Sequence, residues 1–110
     1  MAKEYLGEFE ELILTLVGAL QEEAYGAAIA VEIETRMNRR VNLSAVHTTL
    51  YRLQDRGYIK SGFGGATKER GGRRKRIYTI TNAGLAMVRN MKDSRTALWK
   101  MIPQLKISAS

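Results

Sequence analysis

The sequence predicts a mainly α-helical fold carrying one small β-hairpin, an α+β class in which helices supply most of the core. Three observations point there. Apolar residues recur at three- and four-residue spacing in four separate segments; two short β-branched or aromatic runs lie between the third and fourth of these; and a basic, glycine-rich stretch separates the two runs. At 110 residues the chain is expected to form one folded unit, small enough that an added oligomer interface would help its stability materially.

The first helix is marked by Phe9, Leu12, Ile13, Leu16, Val17 and Leu20, with Glu8, Glu11 and Glu22 falling off that stripe. The segment "EEAYG" breaks it. A second helix is expected from about Gly26 to Met37, with Ile29, Ile33 and Met37 on one face, followed by the short connector "NRRVN". Asn42 or Ser44 suits the cap of a third helix, about Leu43 to Arg56. There Leu43, Val46, Leu50 and Leu53 form the expected buried stripe, and a rotation of about 100° per residue puts Ser44, Ala45, Thr48, Tyr51, Arg52 and Asp55 on the opposite side. His47 and Thr49 fall on the flanks, and Gly57 supplies a left-handed stop.

Two strands are expected next, about Tyr58 to Phe63 and Arg76 to Ile80. Thr81 then caps a last helix in which Val88, Met91, Leu98, Ile102 and Leu105 alternate at three and four, interrupted by Arg95 and bent or ended by Pro103.

Charge is unevenly spread. Residues 1–41 hold four Lys/Arg against eight Glu, and residues 42–110 hold fourteen against three acids, so a net +7 divides into −4 and +11. Within "KERGGRRKRIYTITNAG" six bases, Lys68, Arg70, Arg73, Arg74, Lys75 and Arg76, surround Gly71 and Gly72. Mutual repulsion disfavours such a cluster in isolation, so an anionic partner is expected against it; nucleic acid, an anionic membrane face and an acidic protein all fit the charge alone.

The chain has no cysteine, which removes disulfides, thiolate metal sites and cysteine catalysis, and His47 is its single histidine. Neither a catalytic residue nor a metal or cofactor site is expected. The longest apolar run, Leu12 to Leu20, is about half of the ~20 residues that span a membrane, and the N-terminus carries acids where a signal peptide carries bases. A cytoplasmic protein without a membrane partner is the expectation.

Three helices, the third polar on its outer face, followed by a basic hairpin, make the winged helix-turn-helix pattern. A helix about 10–12 Å across enters the major groove, where short polar side chains reach base edges, while a cationic hairpin reaches phosphates or the minor groove. Ser44, His47, Thr48, Tyr51 and Arg52 are the candidates for the first role; Lys68, Arg70, Arg73, Arg74, Lys75 and Arg76 are those for the second.

"NLSAVHTTLYRLQDRGYI", "ERGGRRKRIYTITNAG" and the early Tyr25-Gly26 pair resemble the PadR family of bacterial transcriptional regulators, especially its short-chain subgroup, over roughly Leu12 to Gly84. The resemblance implies a winged-helix DNA-binding domain, here residues 1–80, and a C-terminal dimerisation helix and tail, residues 81–110. It further implies a homodimeric repressor of a double-stranded DNA operator, relieved by a small-molecule effector. His47 stands where the family commonly has tyrosine. Some short members bind flat aromatic compounds between dimer-related tryptophans; Trp99 lies about one turn beyond that position, and the drug site is not carried over. Val88, Met91, Leu98, Trp99, Ile102 and Leu105 are the expected dimer interface. The competing classes are a winged-helix module for RNA or protein, for which the basic cluster and scarce aromatics argue poorly, and a ligand sensor with secondary DNA affinity.

Overall fold

The computed structural model describes residues 5–64 and 75–103. In chain order it contains α1 (Glu8–Leu20), a single 3-10 turn (Gln21–Glu23), α2 (Gly26–Met37), α3 (Leu43–Asp55), β1 (Ile59–Phe63), β2 (Arg76–Ile80) and α4 (Asn82–Trp99). The fold is thus mostly helical with a two-stranded antiparallel hairpin, as expected.

Local chemistry explains where the elements start and stop. Asn42 Oδ1 accepts from the Ser44 amide at 2.8 Å and opens α3. Gly57, at φ 82°, turns the chain from α3 into β1 through a conformation that a Cβ would disfavour. Thr81 Oγ1 accepts from the Gly84 amide at 3.0 Å to open α4, and donates to the Gly57 carbonyl at 2.7 Å, tying the two turns together. Gly84 packs against the Tyr58 carbonyl so closely that no side chain fits there. α4 ends at Trp99, four residues before Pro103.

The core is a three-helix cluster closed by the hairpin. Ile13, Leu14 and Val17 of α1, Ile29 and Ile33 of α2, and Val46, Leu50 and Leu53 of α3 are buried together with Tyr58, Ile59 and Tyr78. Ile59 pairs with Ile80 and Ser61 with Tyr78, so alternate residues of both strands face this core. Tyr78 N–H also donates to the Ala24 carbonyl at 2.8 Å, which fixes the hairpin to the segment preceding α2.

The sequence stripes differ from the observed core at helix ends. Leu43 is 45% exposed and Met37 51% exposed, because each occupies the terminal turn of its helix, beyond the reach of the packed partners. Thr49, expected on a flank, is buried, since α3 packs on both α1 and α2 and so buries a broader arc than one stripe.

The acids of α1 hold arginines from three other places. Glu8 pairs with Arg39 at 2.8 Å, Glu10 with Arg56 at 3.5 Å, and buried Glu11 with Arg95 of α4. The last pair explains the break in the apolar stripe of α4: Arg95 lies opposite the one acid that α1 turns inward.

Candidate nucleic-acid interface

On α3 the predicted outer residues Ser44, Thr48, Tyr51 and Arg52 are all exposed, with Tyr51 at 54%, while Val46, Leu50 and Leu53 behind them are fully buried. Packing therefore fixes the helix by one side and leaves a strip of hydroxyl, phenol and guanidinium groups facing outward. His47 is half-buried at the edge of this strip. Its ring stacks on Tyr51, centroids 6.4 Å apart and planes at 28°, and its buried Nδ1 has no hydrogen-bond partner among the described residues.

The base of the hairpin stands beside this strip. Lys75 Nζ lies 4.1 Å from the centroid of the Tyr25 ring, and the Arg76 guanidinium lies 5.0 Å from that of Phe63 while donating to Ser61 Oγ at 3.1 Å. Both bases are exposed. Lys68, Arg70, Arg73 and Arg74 lie outside the described residues.

Between α3 and the hairpin base runs an open groove of about 490 Å³, lined by Tyr25, Gly26 and Ala27, by Leu43, His47 and Tyr51, and by Lys75, Arg76 and Tyr78. Tyr25 and Tyr78 also line this groove, and apolar periodicity gives no sign of either, because the groove joins segments distant in sequence. Burial pushes the Tyr78 phenol above its ordinary pKa, nearby Tyr51 adds to the rise, and Arg76 opposes it.

The expected dimer residues divide along α4 and the turn that follows it. Val88 and Met91 pack in part against the chain's own core, whereas Leu98 (64%), Trp99 (67%) and Ile102 (49%) are exposed. Leu105 lies outside the described residues. No single helix among the described residues is long and apolar enough to cross a membrane.

Solved structures share this architecture. The chain is similar to a PadR-like transcriptional regulator from Bacillus cereus, with 22% identity and a TM-score of 0.70 over 86% of each chain. It is similar to a PadR family transcription regulator from Clostridium difficile, with 25% identity and a TM-score of 0.67 over 87% of this chain and 95% of that one. A transcriptional regulator from Clostridium thermocellum matches with 20% identity and a TM-score of 0.63 over 90% of this chain and 100% of that one. The comparison with curated proteins gives no match. Residues 13–90, from within α1 through the hairpin into α4, match the family described as "Transcriptional regulator PadR-like family"; the chain belongs to this family of transcriptional regulators.

Proposed function

We propose that the chain is a sequence-specific regulator of transcription that binds double-stranded DNA as a homodimer and acts as a repressor. The observation that carries this reading is the exposed strip Ser44, Thr48, Tyr51 and Arg52 on a helix held rigidly from behind, with Lys75 and Arg76 beside it. Side chains of this kind read base edges in the major groove, and the cations set the protein on the phosphates. Residues 1–80 would form the DNA-binding domain and residues 81–110 the dimerisation helix and tail. The exposed Leu98, Trp99 and Ile102 support the second assignment, since a two-fold pair of such helices buries them and spaces two recognition helices along one face of the duplex. A groove of about 460 Å³ between Tyr5, Leu6 and the α4 residues Met87 and Met91 supports relief by a small ligand.

Selection of bound sites from random duplexes, followed by titration at several salt concentrations, tests this. If the dimer neutralises about 6–10 phosphates, affinity falls by about 10³–10⁵ between 50 and 200 mM salt. No enriched sequence, or a flat salt response, defeats the reading.

A further inference from the structure

We propose that the ion pair between Glu11 and Arg95 is a positioning contact for operator recognition: it fixes the direction in which α4 leaves the rest of the chain, and with it the spacing of half-sites that a dimer accepts. The inference rests on the dimeric DNA-binding reading above. Its first ground is where the pair stands on α4. At about 100° per residue, Val88, Met91, Leu98 and Trp99 all fall within about 60° of Arg95 around the helix axis. On the near side, Val88 and Met91 pack in part against the chain's own core; on the far side, Leu98 and Trp99 are exposed. Arg95 therefore marks the point at which α4 stops lying on its own body and its apolar face runs out free.

The second ground is leverage. The start of α4 is anchored by Thr81, which caps it and donates to the Gly57 carbonyl at 2.7 Å, and by Gly84, packed against the Tyr58 carbonyl. From Asn82 to Arg95 the helix is about 20 Å long at 1.5 Å per residue, so the ion pair ties it down far from that anchor. The apolar contacts of Val88 and Met91 between these points hold α4 on the body but are non-directional. A swing of about 10° about the anchored end moves the far end of that ~20 Å arm by about 3.5 Å, close to the rise of one base pair.

The third ground is the asymmetry of the pair. The Glu11 side chain is 11% exposed, whereas that of Arg95 is 60% exposed. The pairs of Glu8 with Arg39 and of Glu10 with Arg56 stay within the three-helix body, but that of Glu11 reaches α4. Because the carboxylate is held by packing, the guanidinium that meets it can occupy one place, and its helix follows. Paired charges of this kind serve register more than stability. In a two-fold dimer built on the free part of α4, the direction of that helix sets the separation of the two α3 helices, which must match half-sites about 34–36 Å apart.

The test uses the full chain with Arg95→Gln, Glu11→Gln, the double variant, and Arg95→Lys, which keeps the charge. Duplexes carrying two copies of the selected half-site, with the spacer lengthened or shortened by one or two base pairs, are titrated beside a duplex with a single half-site. Wild type should prefer one spacer by about tenfold over its neighbours. Each Gln variant should narrow that preference to about threefold or less, while its affinity for the single half-site stays within about twofold of wild type and light scattering still gives a dimer. The double variant should resemble either single one, because each removes the same contact, and Arg95→Lys should keep the wild-type preference. An unchanged spacer preference in both Gln variants overturns the inference. So does an equal loss on every duplex, which would assign the pair to folding or to DNA contact, and so does dissociation to monomers, which would assign it to the interface itself. If wild type selects a half-site but tolerates every spacer, the positioning role is wrong and the DNA reading stands. Failure of wild type to bind any duplex removes both.

Discussion

Gly26 and His47 meet so closely that a Cβ on Gly26 would lie 2.5 Å from His47 Cε1 and 3.0 Å from Nε2. The first turn of α2 and the outer edge of α3 are therefore in contact through a gap that only glycine leaves. Because the His47 ring also stacks on Tyr51, the position of one exposed residue of the candidate interface is tied to this seam. The Tyr25-Gly26 pair thus has a packing role as well as a place in the groove.

Gly26→Ala should destabilise the protein despite alanine's better helix propensity. The propensity gain is at most about 1 kcal/mol and smaller in a first turn, whereas forcing a methyl into an occupied gap costs about 1–3 kcal/mol. Denaturant unfolding of Gly26→Ala, His47→Ala and the double variant checks the contact. The double variant should recover part of the loss; strictly additive effects would mean that the two residues do not interact.

Tyr78→Phe should leave stability unchanged or slightly raised at neutral pH, because it removes a buried hydroxyl that lacks a partner without changing the packed ring. The pH response follows from the raised pKa. A phenol whose folded pKa lies above its unfolded value disfavours the folded state once the unfolded chain begins to lose its proton, because the folded form stays neutral. The folded protein must then exclude the phenolate that the unfolded chain forms freely. Stability is therefore fully present below the unfolded value and is lost as pH rises toward the folded one. Thermal melts from pH 8 upward should show an alkaline loss, beginning near the ordinary tyrosine pKa of about 10, that is smaller in Tyr78→Phe. Equal alkaline loss in both proteins would assign it to other groups.

Much of this fold is legible in spacing alone, since the α3 stripe, the turn at Gly57 and the cap at Thr81 each follow from one residue type acting locally. What spacing misses depends on neighbours distant in sequence. Periodicity puts Leu43 in line with Leu50, but not how far along the axis the packing partners extend, so Leu43 is exposed. Arg95 interrupts an apolar stripe until Glu11, eighty-four positions away by difference of their numbers, is seen to face it. The candidate groove is assembled from α2, α3 and β2, and no local pattern joins Tyr25 to Lys75.

Leu98→Asp should separate association from folding. Leu98 is 64% exposed in the protomer, so the aspartate is solvated there and should change the stability of a dissociated chain by no more than about 0.5 kcal/mol. In a dimer built on α4 the same charge would be buried without a partner. Light scattering at micromolar concentration should shift toward the monomer mass while circular dichroism keeps its helical signal. A wild type that is already monomeric would defeat the interface proposed for Leu98, Trp99 and Ile102.

The two halves of the DNA surface should fail differently, because phosphate contacts position a protein and base contacts specify its site. Thr48 and Arg52 are exposed on α3 and contribute nothing to the buried core, so replacing either by alanine tests recognition with little effect on folding. Each should cost about 1–3 kcal/mol on the selected site if a good base contact is lost, and less on a scrambled duplex. Replacing Arg73 and Arg74, in the basic segment between β1 and β2, should weaken both duplexes by similar factors and lower the salt slope by about 0.9 for each phosphate contact removed. Insertion of that segment into the minor groove would add only a coarse preference for A·T tracts. Paired titrations of each variant on both duplexes, at several salt concentrations, distinguish these outcomes. Equal losses on the two duplexes for the α3 variants, with altered sequence preference for the arginine variants, would reverse the roles. An unchanged affinity in both sets would remove this face from the DNA contact altogether.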